Sequence, residues 1–96
     1  MLYAFIGYDK PDCVSLRLAR RPEHLEFINN MADSLKAAGP HINEATGDPV
    51  GSIVIVEGES QEQVVALFAQ DPYVKADLFE RTDVLPYQLM LGSFAK

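Results

Sequence analysis

The chain has 96 residues, 48% of them hydrophobic and 23% charged, which excludes a disordered tract and leaves room for one core, so a single domain over residues 1–96 is expected. Eight Lys and Arg stand against fourteen Asp and Glu, and the resulting net charge of −6 repels a phosphate backbone and argues against nucleic acid as a partner. The single cysteine, Cys13, permits no intramolecular disulfide and no cysteine-rich zinc site, and fits a reducing, cytoplasmic location.

In chain order, Leu2 to Tyr8 is rich in strand formers and runs into the charged turn cluster Asp9-Lys10-Pro11-Asp12, which predicts a first strand. This apolar start has no basic leader, unlike a secretory signal, and no stretch approaches the length of a bilayer span, so no membrane partner is expected. Ser15 to Arg21 could be helical, but Pro22 disfavours helix at the residue before it and suits a first helical position, so the main helix is predicted to restart there and run from Pro22 to about Ala38. Leu25, Ile28, Ala32 and Leu35 form its apolar stripe, and Gly39-Pro40 its stop. Two strands, His41 to Ala45 and Val50 to Glu57, are predicted around the turn Thr46-Gly47-Asp48-Pro49. The β-branched run Ile53 to Val56 suggests a strand covered on both faces, by helices on one side and a second copy of the chain on the other. Ser60 and Gln63 form a capping box ahead of a short amphipathic helix, Asp71-Pro72 caps another reaching about Phe79, and Val84 to Leu91 is the last strand. The order β-α-β-β-α-β is that of a ferredoxin-like α+β domain, an antiparallel sheet with helices on one face.

Few residues carry chemical promise. Placed three positions into a helix starting at Pro22, His24 would meet the positive end of the helix dipole, which favours neutral imidazole able to accept a proton. Asp71, a carboxylate at a helix start, would orient that ring if the two met; otherwise His24 is a surface residue and Asp71 an ordinary cap. Arg17, Arg20 and Arg21 form the one basic cluster, suited to a small anion through bidentate pairing and equally open to being solvated. Gly51-Ser52 brings a hydroxyl to a loop that matches no phosphate-binding or dinucleotide fingerprint, and Ser52 lacks the elbow of a nucleophile. His41 reads as a loop residue, and Tyr73 serves either core or pocket. His24, His41 and Asp71 have no metal-ligand spacing, so neither metal nor cofactor is expected.

Taken together, the residues resemble the YciI-like (YCII-related) family across nearly the whole chain. The resemblance rests on Arg20 or Arg21 ahead of Pro22-Glu23-His24-Leu25, on Ala38-Gly39-Pro40, on Gly51-Ser52 opening a strand, on Glu57 followed by Ser60, and above all on Asp71-Pro72-Tyr73. It implies a homodimer of the dimeric α/β-barrel kind, similar in fold to muconolactone isomerase, with a pocket between helices and sheet. It also implies a His-Asp pair, His24 and Asp71, with Ser52 beside it. The activity so implied is acid–base chemistry of lyase or isomerase type on a small anionic or aromatic compound, needing no cofactor, with an arginine holding the negative group. The alternative is a non-catalytic homodimeric module that binds a metabolite or a protein partner.

Overall fold

A computed structural model describes residues 1–95. Strand β1 (Leu2–Asp9) leads into helix α1 (Val14–Asn29), then β2 (Leu35–Ile42), β3 (Pro49–Glu57), α2 (Gln61–Phe68), α3 (Pro72–Lys75) and β4 (Phe79–Tyr87). All pairings are antiparallel and the strand order is β2-β3-β1-β4, the ferredoxin-like α+β arrangement.

Alternation along the strands divides the sheet into two chemically different faces. Tyr3, Phe5, Val54 and Val56 point to the helices and join Ile28, Val64, Phe68, Tyr73, Leu78 and Phe79 in one buried cluster. Phe5 stacks on Phe68 at 4.1 Å between ring centroids, pinning α2 to the central strand. The opposite face carries Ile53, Leu85, Tyr87 and Tyr8, all more than a third exposed. Burying what remains exposed of any of these would be worth about 1 kcal/mol per side chain, a fraction of the roughly 1.5–3 kcal/mol for complete burial.

The prolines account for most departures from the sequence expectations. Helix α1 begins at Val14, not at Pro22, and Pro22 lies inside it. The lost backbone donor is tolerated because Arg17, His24 and Ile28 form a buried stripe across the proline, so burial of the helix face outweighs the local break. The helix then ends at Asn29, well before Ala38. Ala32 turns the chain with φ 51°, and the residues from Leu35 onward are strand. Gly39-Pro40 is therefore no helix stop: Pro40 sits in β2 at the sheet edge, where a missing donor costs no ladder bond. His41 likewise lies in β2. Its Nε2–H donates to the Gly7 carbonyl at 2.8 Å, reaching past Gly51, where an added Cβ would overlap the imidazole and the carbonyl oxygen.

The second half follows the expected caps more closely. Ser60 Oγ accepts from the Gln63 N–H at 3.0 Å, and Asp71 Oδ1 accepts from the Tyr73 N–H at 2.9 Å. Helix α3 is shorter than expected, because Asp77 adopts φ 59° and the chain enters β4 at Phe79, five residues before the predicted start at Val84. Pro86 thus lies near the end of the last strand, again at an edge.

Candidate active site

The long α1 presents Arg17, Arg21, His24 and Ile28 at helical spacing on one side, toward the end of the sheet where β2 and β3 meet. Between them lies a cavity of about 230 Å³. Leu18, Leu25, Ile28, Pro40, Pro49 and Val54 give it apolar walls, and its polar groups are Arg17, Arg21, His24, Ser52 and Tyr73.

At its floor, His24 Nδ1 lies 2.9 Å from Asp71 Oδ1. The carboxylate oxygen already accepts the Tyr73 N–H and can only accept, so Nδ1 carries a proton, and in the neutral ring Nε2 holds the lone pair. Among the described residues Nε2 has no hydrogen-bond partner, and it is not among the sealed-off atoms: the one buried side-chain polar atom without a hydrogen bond among them is Asp71 Oδ2. Asp71 itself is fully buried and His24 nearly so. His24 does not lie at a helix start as expected, since ten residues of α1, Val14 onward, precede it. Its environment is set instead by Asp71 and by the Tyr73 ring, which stacks on the imidazole at 3.9 Å.

Tyr73 is packed from several sides. The Arg17 guanidinium carbon sits 4.5 Å from its ring centroid. Burial pushes the phenol above its ordinary value of 10.0, the Asp71 charge adds to the rise, and Arg17 and Arg21 pull against it. The phenol is therefore neutral at physiological pH.

Arg17 is tied down. Its Nε and Nη2 donate to Asp9 Oδ2 and Oδ1 at 2.7 and 3.0 Å, and Nη2 also donates to Ser52 Oγ at 2.8 Å. Both charged groups of the Arg17–Asp9 pair are 5% exposed, so the bidentate bonds offset a desolvation that neither charge would tolerate alone. Asp9, which reads as a turn residue in the sequence, was the partner that sequence reasoning missed. The only available signal was a carboxylate at the end of the strand next to an arginine-bearing segment. Arg21 lines the cavity and remains exposed, whereas Arg20 is exposed and outside the lining. Among the described residues no three His, Cys, Asp or Glu side chains gather into a metal-binding group, and no helix is long and apolar enough to cross a membrane.

A profile of the YCII-related domain matches residues 1–88. Protein YciI of Escherichia coli is 38% identical over 95 residues, covering 92% of this chain and 97% of that protein. An uncharacterized protein of Haemophilus influenzae is 30% identical over the same coverage. Among solved structures, 5-chloro-2-hydroxyhydroquinone dehydrochlorinase (TftG) from Burkholderia phenoliruptrix, in complex with 2,5-dihydroxybenzoquinone, superposes with a TM-score of 0.86 at 29% identity, covering 92% of this chain and 94% of that one. An antibiotic biosynthesis monooxygenase superposes at 0.58 with 14% identity, covering 95% of this chain and 100% of that one, which is a likeness of fold alone.

Proposed function

The chain belongs to the YCII-related domain family, and from that premise we propose that it is a small-molecule enzyme of lyase or isomerase type whose proton transfers are carried by His24 and Asp71. The observation that carries this reading is the buried Nδ1–Oδ1 bond of 2.9 Å, which leaves Nε2 as an acceptor in a cavity of about 230 Å³.

In this mechanism Nε2 takes a proton from a hydroxyl or an activated C–H of a small aromatic or anionic compound. Asp71 holds the ring and balances the imidazolium that forms. The electron pair released either re-forms as a shifted double bond, with the proton returned at another atom, or expels a leaving group such as halide. Neutral Tyr73 keeps the imidazole plane fixed by stacking, and Arg17 holds Ser52 in place at the wall. The dehydrochlorinase in complex with a dihydroxybenzoquinone supports the choice of hydroxylated and halogenated rings as first compounds to try.

The working unit in this reading is a cytoplasmic homodimer of single-domain chains. Ile53, Leu85 and Tyr87 on the uncovered sheet face supply an apolar patch that a second copy would bury. The test is a screen of chlorinated and hydroxylated benzenoids and small carbon acids, following halide release and solvent deuterium incorporation by NMR. Turnover is expected in the wild type and lost in His24→Gln. Equal turnover in both proteins would end the assignment.

A further inference from the structure

We infer that Arg21, and not its buried neighbour Arg17, reads the negative group of the ligand, and that this group is a carboxylate carried on a ring or short chain small enough for the cavity. The inference rests on the reading of the cavity as a substrate site and specifies which compounds it takes.

Three arginines lie close together on α1, yet their surroundings differ. Arg17 is matched by Asp9 through two hydrogen bonds, so an anion arriving beside it meets a pair whose charges cancel. What Arg17 still offers is direction, through N–H groups not bound to Asp9 or Ser52. Arg20 is outside the cavity lining and has Glu23 one helical turn ahead. Arg21 lines the cavity, and no carboxylate comes within ion-pair distance of it among the described residues. Its helical neighbours three and four positions away are Arg17, Leu18, His24 and Leu25, none of them acidic. In a chain of net charge −6, an unmatched guanidinium at a cavity wall is the place where an anion gains most.

The geometry limits what that anion can be. Arg21 and His24 are one helical turn apart on the same side of α1, so their Cβ atoms are separated by about 5–6 Å. A six-membered ring bridges that span: a substituent at one end meets the guanidinium while a hydroxyl or C–H farther along the ring reaches Nε2. The cavity volume of about 230 Å³ holds one such ring with one or two substituents and little more; a cavity of about 150 Å³ already accepts benzene. A guanidinium fork matches two coplanar oxygens, which favours a carboxylate over a lone phenolate. Leu18 and Leu25, on either side of Arg21 along the helix, offer apolar surface to the ring beside the guanidinium.

The test compares benzoate with its neutral isostere benzamide, and with phenol near its own ionisation, on the full chain. Binding is followed through the His24 imidazole signals in ¹H–¹⁵N spectra. Benzoate is expected to bind more tightly than benzamide to the wild type. Arg21→Gln should lose roughly 10- to 100-fold in benzoate affinity, the loss expected for a hydrogen bond to a charged group, with benzamide unchanged and Arg21→Lys in between. A wild type that binds the two equally, one that prefers phenolate, or an Arg21→Gln protein that keeps its preference for benzoate would overturn the inference while leaving the cavity a ligand site. If none of the three compounds disturbs the His24 signals, the substrate-site reading fails and this inference with it.

Discussion

Replacing Asp71 with Asn and with Ala separates the two tasks that meet on one carboxylate. Oδ1 accepts both from the Tyr73 N–H and from His24 Nδ1, each at 2.9 Å, while Oδ2 is buried with no partner. Asp71→Ala removes the acceptor, which costs a helix cap worth about 0.5–2 kcal/mol. It also strands a buried imidazole N–H, at about 1–3 kcal/mol. A total near 2–4 kcal/mol is expected, and in a domain of this size each kcal/mol lowers the thermal midpoint by roughly 4–8 °C. Asp71→Asn keeps an oxygen in place for both donors and puts its amide where an orphan oxygen already sits, so removing a buried charge should leave stability within about 1 kcal/mol of the wild type. What Asn cannot do is balance an imidazolium. Turnover in Asp71→Asn should therefore drop by about 10²–10⁴-fold, the usual contribution of acid–base catalysis, in a protein that is otherwise well folded. Urea unfolding at fixed protein concentration, alongside the turnover assay, reads both quantities. Were Asn as destabilising as Ala, the shared-oxygen account would be wrong; were Asn fully active, the charge would have no catalytic part.

Four further outcomes follow from the same structure. Arg17→Met should cost about 3–5 kcal/mol by stranding the buried Asp9 carboxylate, and adding Asp9→Asn should recover part of that loss in urea unfolding. Gly51→Ala should destabilise by about 1–3 kcal/mol through overpacking, and His41→Ala should relieve it only in part, because the Gly7 carbonyl also obstructs the new methyl. The raised Tyr73 ionisation means the folded state holds that proton more tightly than the unfolded chain. Its contribution is intact below about pH 10 and is lost as pH rises through the folded value, so thermal midpoints taken from pH 8 to 11.5 should fall more steeply in the wild type than in Tyr73→Phe. Finally, Ile53→Glu on the uncovered sheet face should convert a dimer to a monomer in light scattering; a wild type that is monomeric at high concentration would refute the dimer.

Strands β1 and β3 and both caps, at Ser60 and Asp71, were legible because each is fixed by a local pattern: β-branched runs, a turn cluster, or a side chain two or three residues from the N–H it satisfies. The boundaries of α1 and β2 were not, since Pro22 and Gly39-Pro40 carry local signals for a helix start and stop that tertiary burial and an edge position override. For the site, the order of the motifs pointed to His24 and Asp71, but no one-dimensional pattern reveals that residues 47 positions apart touch. Nor does it reveal that Arg17 is committed to Asp9, which is a matter of which strand end lies beside which helical turn.

The His41 imidazole, bonded to Gly7 and lying across Gly51, fastens three adjacent strands together next to Ser52. The sheet behind Ser52 is therefore stiff, and a side chain added at Gly51 would clash on the face turned away from the helices without entering the cavity. Leu18 and Leu25 on the opposite wall are more than a third exposed and packed on one side only. A lineage adapting this scaffold to a larger or differently shaped compound would thus find tolerated changes along the helix, and laboratory selection for altered preference would do best to randomise those two positions first.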